Sequence, residues 1–202
     1  MWRRTAAASL VVCTAGSVTV WKGTDGLRAL TSEQARRVAI ARNPRAVPAT
    51  MLEDQSGRAF TLADYRGRPV VVEFIYTRCQ ALCTQLSAGM QRLDRAQRAS
   101  NDRVQLVSIS FDATNDSVAD LREYAARYEA DGATWRLARV RDERDLSPLL
   151  SAFGIVAIPD RYGGFQHNAA VHVLNAEGRL ARVLDADAPP ATIVRVAATV
   201  SR

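Results

Sequence analysis

The stretch that most constrains this chain is an apolar run, Val70 to Tyr76, followed closely by Cys79 and Cys83. The run is β-branched and aromatic almost throughout, is bounded by Gly67 and Pro69, and has the length of a strand. It reads as a strand buried on both faces, the central strand of a mainly parallel sheet. Thr77 and Arg78 end it. Beyond them the period changes: Cys79, Cys83, Leu86, Met90, Leu93 and Gln97 recur at steps of three or four, one stripe of a helix. Both thiols are therefore expected where a strand delivers the chain into a helix N-terminus, whose N–H groups and dipole favour a thiolate. At i and i+4 of a helix they would share a side, with Cβ atoms about 5–6 Å apart. Such a pair could grip a soft metal ion. It could also oxidise if the first turn opened, because a disulfide wants Cβ atoms nearer ~4 Å. Core packing is the competing account, since buried cysteine is common and the pair continues the stripe of Leu86 and Met90. Position favours chemistry, because α/β sheets place their sites where strands end and helices begin.

At 202 residues the chain can form one domain with a real core and some extra at the ends. The net charge of +6 comes from scattered arginines and a single lysine, Lys22. No basic run stands out and aromatics are 6%, which argues against a nucleic-acid surface. The charge suits approach to an acidic protein or an anionic membrane surface. Three cysteines, one of them Cys13 near the start, do not make a disulfide scaffold. Met1 to Arg4 is positively charged, and Thr5 to Trp21 carries no charge before Lys22. That is the layout of an export signal, with a plausible cut after Ala15, or of an N-terminal membrane anchor. Its richness in Ala, Thr and Ser, and its 17 uncharged residues, put it at the short end for a span. Export would leave the body in a bacterial-type periplasm, on the outer side of the inner membrane.

Residues 1–22 are therefore assigned to the leader, 23–45 to a linker with a short helix, and 46–202 to the domain. In the linker, Thr31 to Gln34 reads as a capping box opening a helix to Arg42, stopped by Asn43 and Pro44. Residues 51–62 read as a hairpin around Gly57. Val104 to Phe111 is a second buried strand, Ser117 to Tyr128 a helix, Trp135 to Val140 a short strand and Glu143 to Phe153 a helix. Ala169 to Leu174 and Arg179 to Leu184 flank the turn Asn175 to Gly178, and Pro189–Pro190 opens a closing helix. A β-α-β-α core, a hairpin and a closing helix, with paired thiols at the first junction, is an α/β thioredoxin-like fold. It carries an N-terminal β-hairpin extension and an inserted helix/strand segment between residues 117 and 153.

On these residues the chain resembles the Sco (SenC) family of thioredoxin-fold proteins. The matching stretches are Asp64 to Pro69, Phe74 to Cys83, Ser108 to Asp116 and His167 to Gly178, so the likeness covers the domain from about residue 46 to the end. The resemblance implies a protein that is membrane-tethered and faces the periplasm or the mitochondrial intermembrane space. It implies copper held by the two cysteines and a late histidine, matched here by Cys79, Cys83 and His167. It also implies a role in building the binuclear copper site of cytochrome c oxidase subunit II, as metallochaperone or as reductant of its cysteines; another copper acceptor protein is the alternative partner. Asp112 and Asp116 match a family Asp-x-x-x-Asp. Gln80 departs from the family, which usually has Pro directly after the first cysteine; Pro pre-sets φ and lacks an N–H.

Cu(I) prefers thiolates and accepts imidazole as a further ligand. His167 is expected from a loop just before a strand, and Arg78 is expected to favour the Cys79 thiolate. Used differently, Cys79 and Cys83 form a redox pair in which one thiolate attacks a partner disulfide and the other resolves it, giving a thiol–disulfide oxidoreductase as the alternative. Peroxide reduction by Cys79 is a weaker third. His172 alternates within an apolar strand and reads as packed or edge-exposed; Asp116, before Ser117, reads as a helix N-cap. Met90 reads as core filler.

Overall fold

The computed structural model describes residues 2–27, 29–79, 82–99 and 104–201, and the side chains of residues 3, 4, 7, 8, 82, 83 and 99 lie outside that description. The chain divides into two compact units, Met1–Asn43 and Pro44–Arg202. The first holds α1 (Trp2–Gly23) and α2 (Ser32–Arg42). The capping box is present: the Gln34 N–H donates to Thr31 Oγ1 at 3.1 Å, and the Thr31 N–H donates to Gln34 Oε1 at 3.2 Å. Among the described residues no helix is long and apolar enough to cross a membrane.

In the second unit β1 (Leu52–Asp54) and β2 (Ala59–Phe60) form the expected hairpin. Gly57 holds a φ of +78° in its turn, a left-handed conformation that a side chain resists. Then follow β3 (Val70–Ile75), α3 (Leu82–Ala99), β4 (Gln105–Ser110), α4 (Val118–Tyr128), β5 (Trp135–Val140) and α5 (Leu146–Phe153). A small ribbon of β6 (Ala157–Pro159) and β7 (Phe165–His167) precedes the hairpin β8 (Ala170–Leu174) and β9 (Leu180–Asp185), and α6 (Pro190–Val200) closes the chain. Pro190 enters α6 in its first turn, where its missing N–H costs nothing.

Among the described residues the main sheet runs β2-β1-β5-β4-β3-β8-β9. Strands β4-β3-β8-β9, with α3 and α6, make the thioredoxin-like core; α4, β5 and α5 fill the stretch 117–153 read as the inserted segment, and the β1–β2 hairpin extends the sheet beyond β5. Every residue of β3 and β4 is buried, as the continuous apolar run requires. The expectation of a mainly parallel sheet with β3 at its centre is corrected. Only β3–β4 and β4–β5 pair in parallel; β1–β2, β1–β5, β3–β8 and β8–β9 are antiparallel, and β4 is the middle strand. The cause is connection: two hairpins with short turns bring antiparallel partners to both flanks, and a short turn cannot join parallel strands.

Successive residues of β3 point to opposite faces. Phe74 meets Phe153 of α5 and His172 of β8, with ring centroids 5.0 and 5.9 Å away. Glu73 points the other way, toward Ser87 of α3, whose stripe Leu86, Met90 and Leu93 is buried. His172 is therefore a core residue: it is fully buried, lies opposite Val72, and its Nε2 stands 3.2 Å from the Phe153 carbonyl.

Candidate metal centre

Where β3 ends, the chain turns instead of entering the helix at once. The Cys79 N–H donates to the Tyr76 carbonyl at 3.2 Å, Cys79 itself is not helical, and α3 is described from Leu82. Cys79 thus precedes the helix, and the expectation that Cys79 and Cys83 sit at i and i+4 of one helix is corrected. Cys79 is a buried thiol. Cys83 falls in the first turn of α3, but its side chain, like Gln80 as a whole, lies outside the described residues.

The reason the strand breaks here is Asp116. Fully buried, its carboxylate accepts from the Thr77 N–H at 2.9 Å, from Thr77 Oγ1 at 2.6 Å and from Ser110 Oγ at 2.5 Å. It is not the N-cap of α4; Ser117 is, in a reciprocal pair with Asp120. Asp112, also buried, accepts from Arg78 at 2.5 Å and from the Asn115 amide at 2.8 Å. The Arg78 guanidinium is half exposed at 49% and is committed to Asp112, which raises its pKa further. Its charge therefore faces a carboxylate first, which tempers the expected help to the Cys79 thiolate. Together the two aspartates hold the Thr77–Arg78 turn that presents Cys79. The sequence offered only their spacing as a signal.

The histidine arrives on the β6–β7 ribbon. His167 ends β7, paired with Ala157, where a loop was expected. Its ring packs, tilted, with its centroid 4.8 Å from that of Phe111 and lies 6.1 Å from Tyr76, while Phe165 sits 5.3 Å from both of those rings. Tyr76 and Phe111 follow β3 and β4 directly, and the Phe111 N–H donates to the Ile75 carbonyl at 2.9 Å. The aromatic cluster so docks the ribbon on the strand ends from which Cys79 emerges. Burial lowers the His167 pKa, and the Asn168 backbone contact opposes that. His167 Nδ1 is 3.0 Å from the Asn168 carbonyl. A carbonyl only accepts, so Nδ1 carries the proton and Nε2 the lone pair, the form in which imidazole binds metals. Asn168 also closes the base of the ribbon, accepting from the Val156 N–H at 2.7 Å and donating to the Gly154 carbonyl at 2.9 Å. Sequence reasoning missed Asn168; its place beside His167, between two strands, was the available sign.

Beside Cys79 opens a pocket of about 560 Å³, lined by Thr77, Arg78, Thr84 and, from α4, Glu123, Tyr124 and Arg127 among others. Among the described residues no three His, Cys, Asp or Glu side chains are grouped to hold a metal ion. Cys79, a soft thiol, and His167, a neutral imidazole, both lie at this end of the sheet, and their donor types suit a soft cation.

The family model described as SCO1/SenC matches residues 41–202. The SCO1 protein homolog of Bacillus subtilis (strain 168) is 25% identical over 130 residues, covering 63% of this chain and 67% of that one. The fold is that of a SCO1/SenC family lipoprotein from Bacillus anthracis str. Ames, with a TM-score of 0.73 at 21% identity over 80% of this chain and 99% of that one. It is likewise that of ScoI from Bradyrhizobium japonicum, solved with copper bound, at a TM-score of 0.64 and 21% identity over 77% of this chain and 99% of that one. With a model match over most of its length and a thioredoxin-like core bearing Cys79 and His167 at one sheet end, this chain belongs to the SCO1/SenC family.

Proposed function

We propose that this chain is an exported copper-binding metallochaperone that assists assembly of the binuclear copper site of cytochrome c oxidase. Cys79, Cys83 and His167 would be its copper ligands, and the oxidase subunit II or another copper acceptor its partner. The observation that carries this reading is the docking of the His167 ribbon, through Tyr76 and Phe111, on the sheet end that bears Cys79. The copper bound by the Bradyrhizobium relative supports the choice of metal. Two thiolates satisfy Cu(I), and an imidazole on a separate ribbon is a ligand that can let go during transfer. The charged start and uncharged stretch of the leader support export to the periplasmic side of the inner membrane.

The test is Cu(I) titration of the reduced protein against a competing chelator, beside His167→Ala and Cys79→Ala. One tightly held copper per chain, weakened at least tenfold by either change, is the expected result. Equal weak binding by wild type and His167→Ala, with ready cycling of Cys79 and Cys83 between dithiol and disulfide, would replace this reading with a thiol–disulfide oxidoreductase.

A further inference from the structure

A carboxyl group lies in the core beneath this site, and the ligand set makes no use of it. Glu73 is in the middle of β3, is fully buried, and its Oε2 has no hydrogen-bond partner among the described residues. Its Oε1 accepts from Ser108 at 2.6 Å and from Ser87 at 3.3 Å. Ser108 in turn accepts from the Trp135 indole at 2.8 Å, which fixes it as a donor to Glu73. Ser87 is 3.0 Å from the Tyr124 hydroxyl, and Tyr124 lines the same pocket as Cys79. Two hydroxyl groups thus link the carboxyl to Tyr124, a residue that lines the pocket at the thiol.

We propose that Glu73 is a proton acceptor for the metal site, taking up through Ser87 and Tyr124 the proton that the Cys79 thiol loses when copper binds. The step balances: the S–H bond of Cys79 breaks, an S–Cu bond forms with Cu(I), and the proton forms an O–H bond on the Glu73 carboxylate. With the Cys83 proton released to solvent, a region that starts with one negative carboxylate gains one cation and two thiolates; the proton held on Glu73 keeps it at one negative charge, where release of both protons to solvent would leave two in a low-dielectric interior. The groups facing Glu73 are neutral: Ser87 from α3, Ser108 from β4, and the apolar Val71 and Val173 beside it on β3 and β8. The pocket end carries the charged groups Arg78, Asp120, Glu123 and Arg127. Burial, opposed by the Ser108 and Ser87 hydrogen bonds, raises the Glu73 pKa to about 7, so the group changes charge in the range where the site would load.

This inference rests on the copper reading, and its test separates the two. Reduced full-length protein and Glu73→Gln are each mixed with one equivalent of Cu(I), and the protons released to a weakly buffered solution are counted at about pH 8 and about pH 5.5. The wild type should release close to one proton fewer per copper than Glu73→Gln at the higher pH, where Glu73 starts ionised. The two should release the same number at the lower pH, where it is already protonated. Independently of the variant, copper addition to the wild type at the higher pH should raise a protonated-carboxyl carbonyl band in the infrared difference spectrum. Equal counts at both pH values in proteins that bind copper, or no such band, would overturn the role of Glu73 alone. A wild type that binds no copper would overturn the copper reading and this inference with it.

Discussion

Asp116 holds Thr77 by both main chain and side chain, and Ser110 by its hydroxyl, in a place closed to water. Removing the carboxylate leaves those donors without an acceptor, and a buried unmet donor costs about 1–3 kcal/mol. Asp116→Ala should therefore lower stability by about 3 kcal/mol in urea denaturation and weaken copper binding together with it. A loss of binding with unchanged stability would mean that Asp116 acts on the metal more directly. Glu73 makes a prediction of opposite sense. Its pKa is raised by burial from 4.5 to about 7, so between those values the folded protein holds a proton that the unfolded chain has lost. Stability from this group is complete below about pH 4.5 and is lost as pH rises through about 7, a swing of about 3 kcal/mol at most. Urea midpoints of the wild type and Glu73→Gln, compared from pH 5 to 8, should draw apart, with the variant gaining on the wild type at the alkaline end. Parallel curves would place the ionisation of Glu73 outside this range.

The β6–β7 ribbon is the element on which the site depends. Its strands pair over three residues each, and its hold on the domain comes from Phe165 and His167 against Tyr76 and Phe111, and from Asn168 at its base. Asn168→Ala removes two base contacts while leaving the imidazole in place. Groups that orient a ligand typically carry 10–100-fold in metal affinity. About a tenfold loss of Cu(I) affinity is expected, with faster hydrogen exchange at Val156, whose N–H loses its acceptor. The ribbon was not legible in the sequence because three-residue strands containing Pro159 and Gln166 carry no usable period. By contrast, β3 and β4 were legible from their continuous apolar runs. The β8–β9 hairpin was legible from its turn, where Gly178 takes a φ of +77°. The N-terminus of α4 was half legible. The reading put the cap on Asp116; packing instead makes Ser117 the cap while Asp116 turns inward to Thr77.

For the molecule as a whole, a ligand that binds only the folded state stabilises it by mass action, by about 4 kcal/mol at a thousandfold excess over its dissociation constant. Excess Cu(I) should raise the unfolding temperature of the reduced wild type more than that of Cys79→Ala. An equal rise in both would locate the copper elsewhere.

The sequence by itself determined the β-α-β order, the two doubly buried strands, the turns at Gly57 and Gly178 and the candidate donors, because each is written in local period or local backbone demand. It also carried the family likeness, through the spacing of Cys79, Cys83 and His167. Only the tertiary structure decided that Cys79 stands ahead of its helix, that the sheet is mixed, and that two aspartates and a three-residue ribbon bring thiol and imidazole to one end. Those outcomes depend on contacts between residues far apart in the chain: Asp116 with Thr77, Asp112 with Arg78, Phe111 with His167. Local pattern carries no record of such partners, and it is their burial and hydrogen bonding that select among conformations the sequence alone leaves equally open.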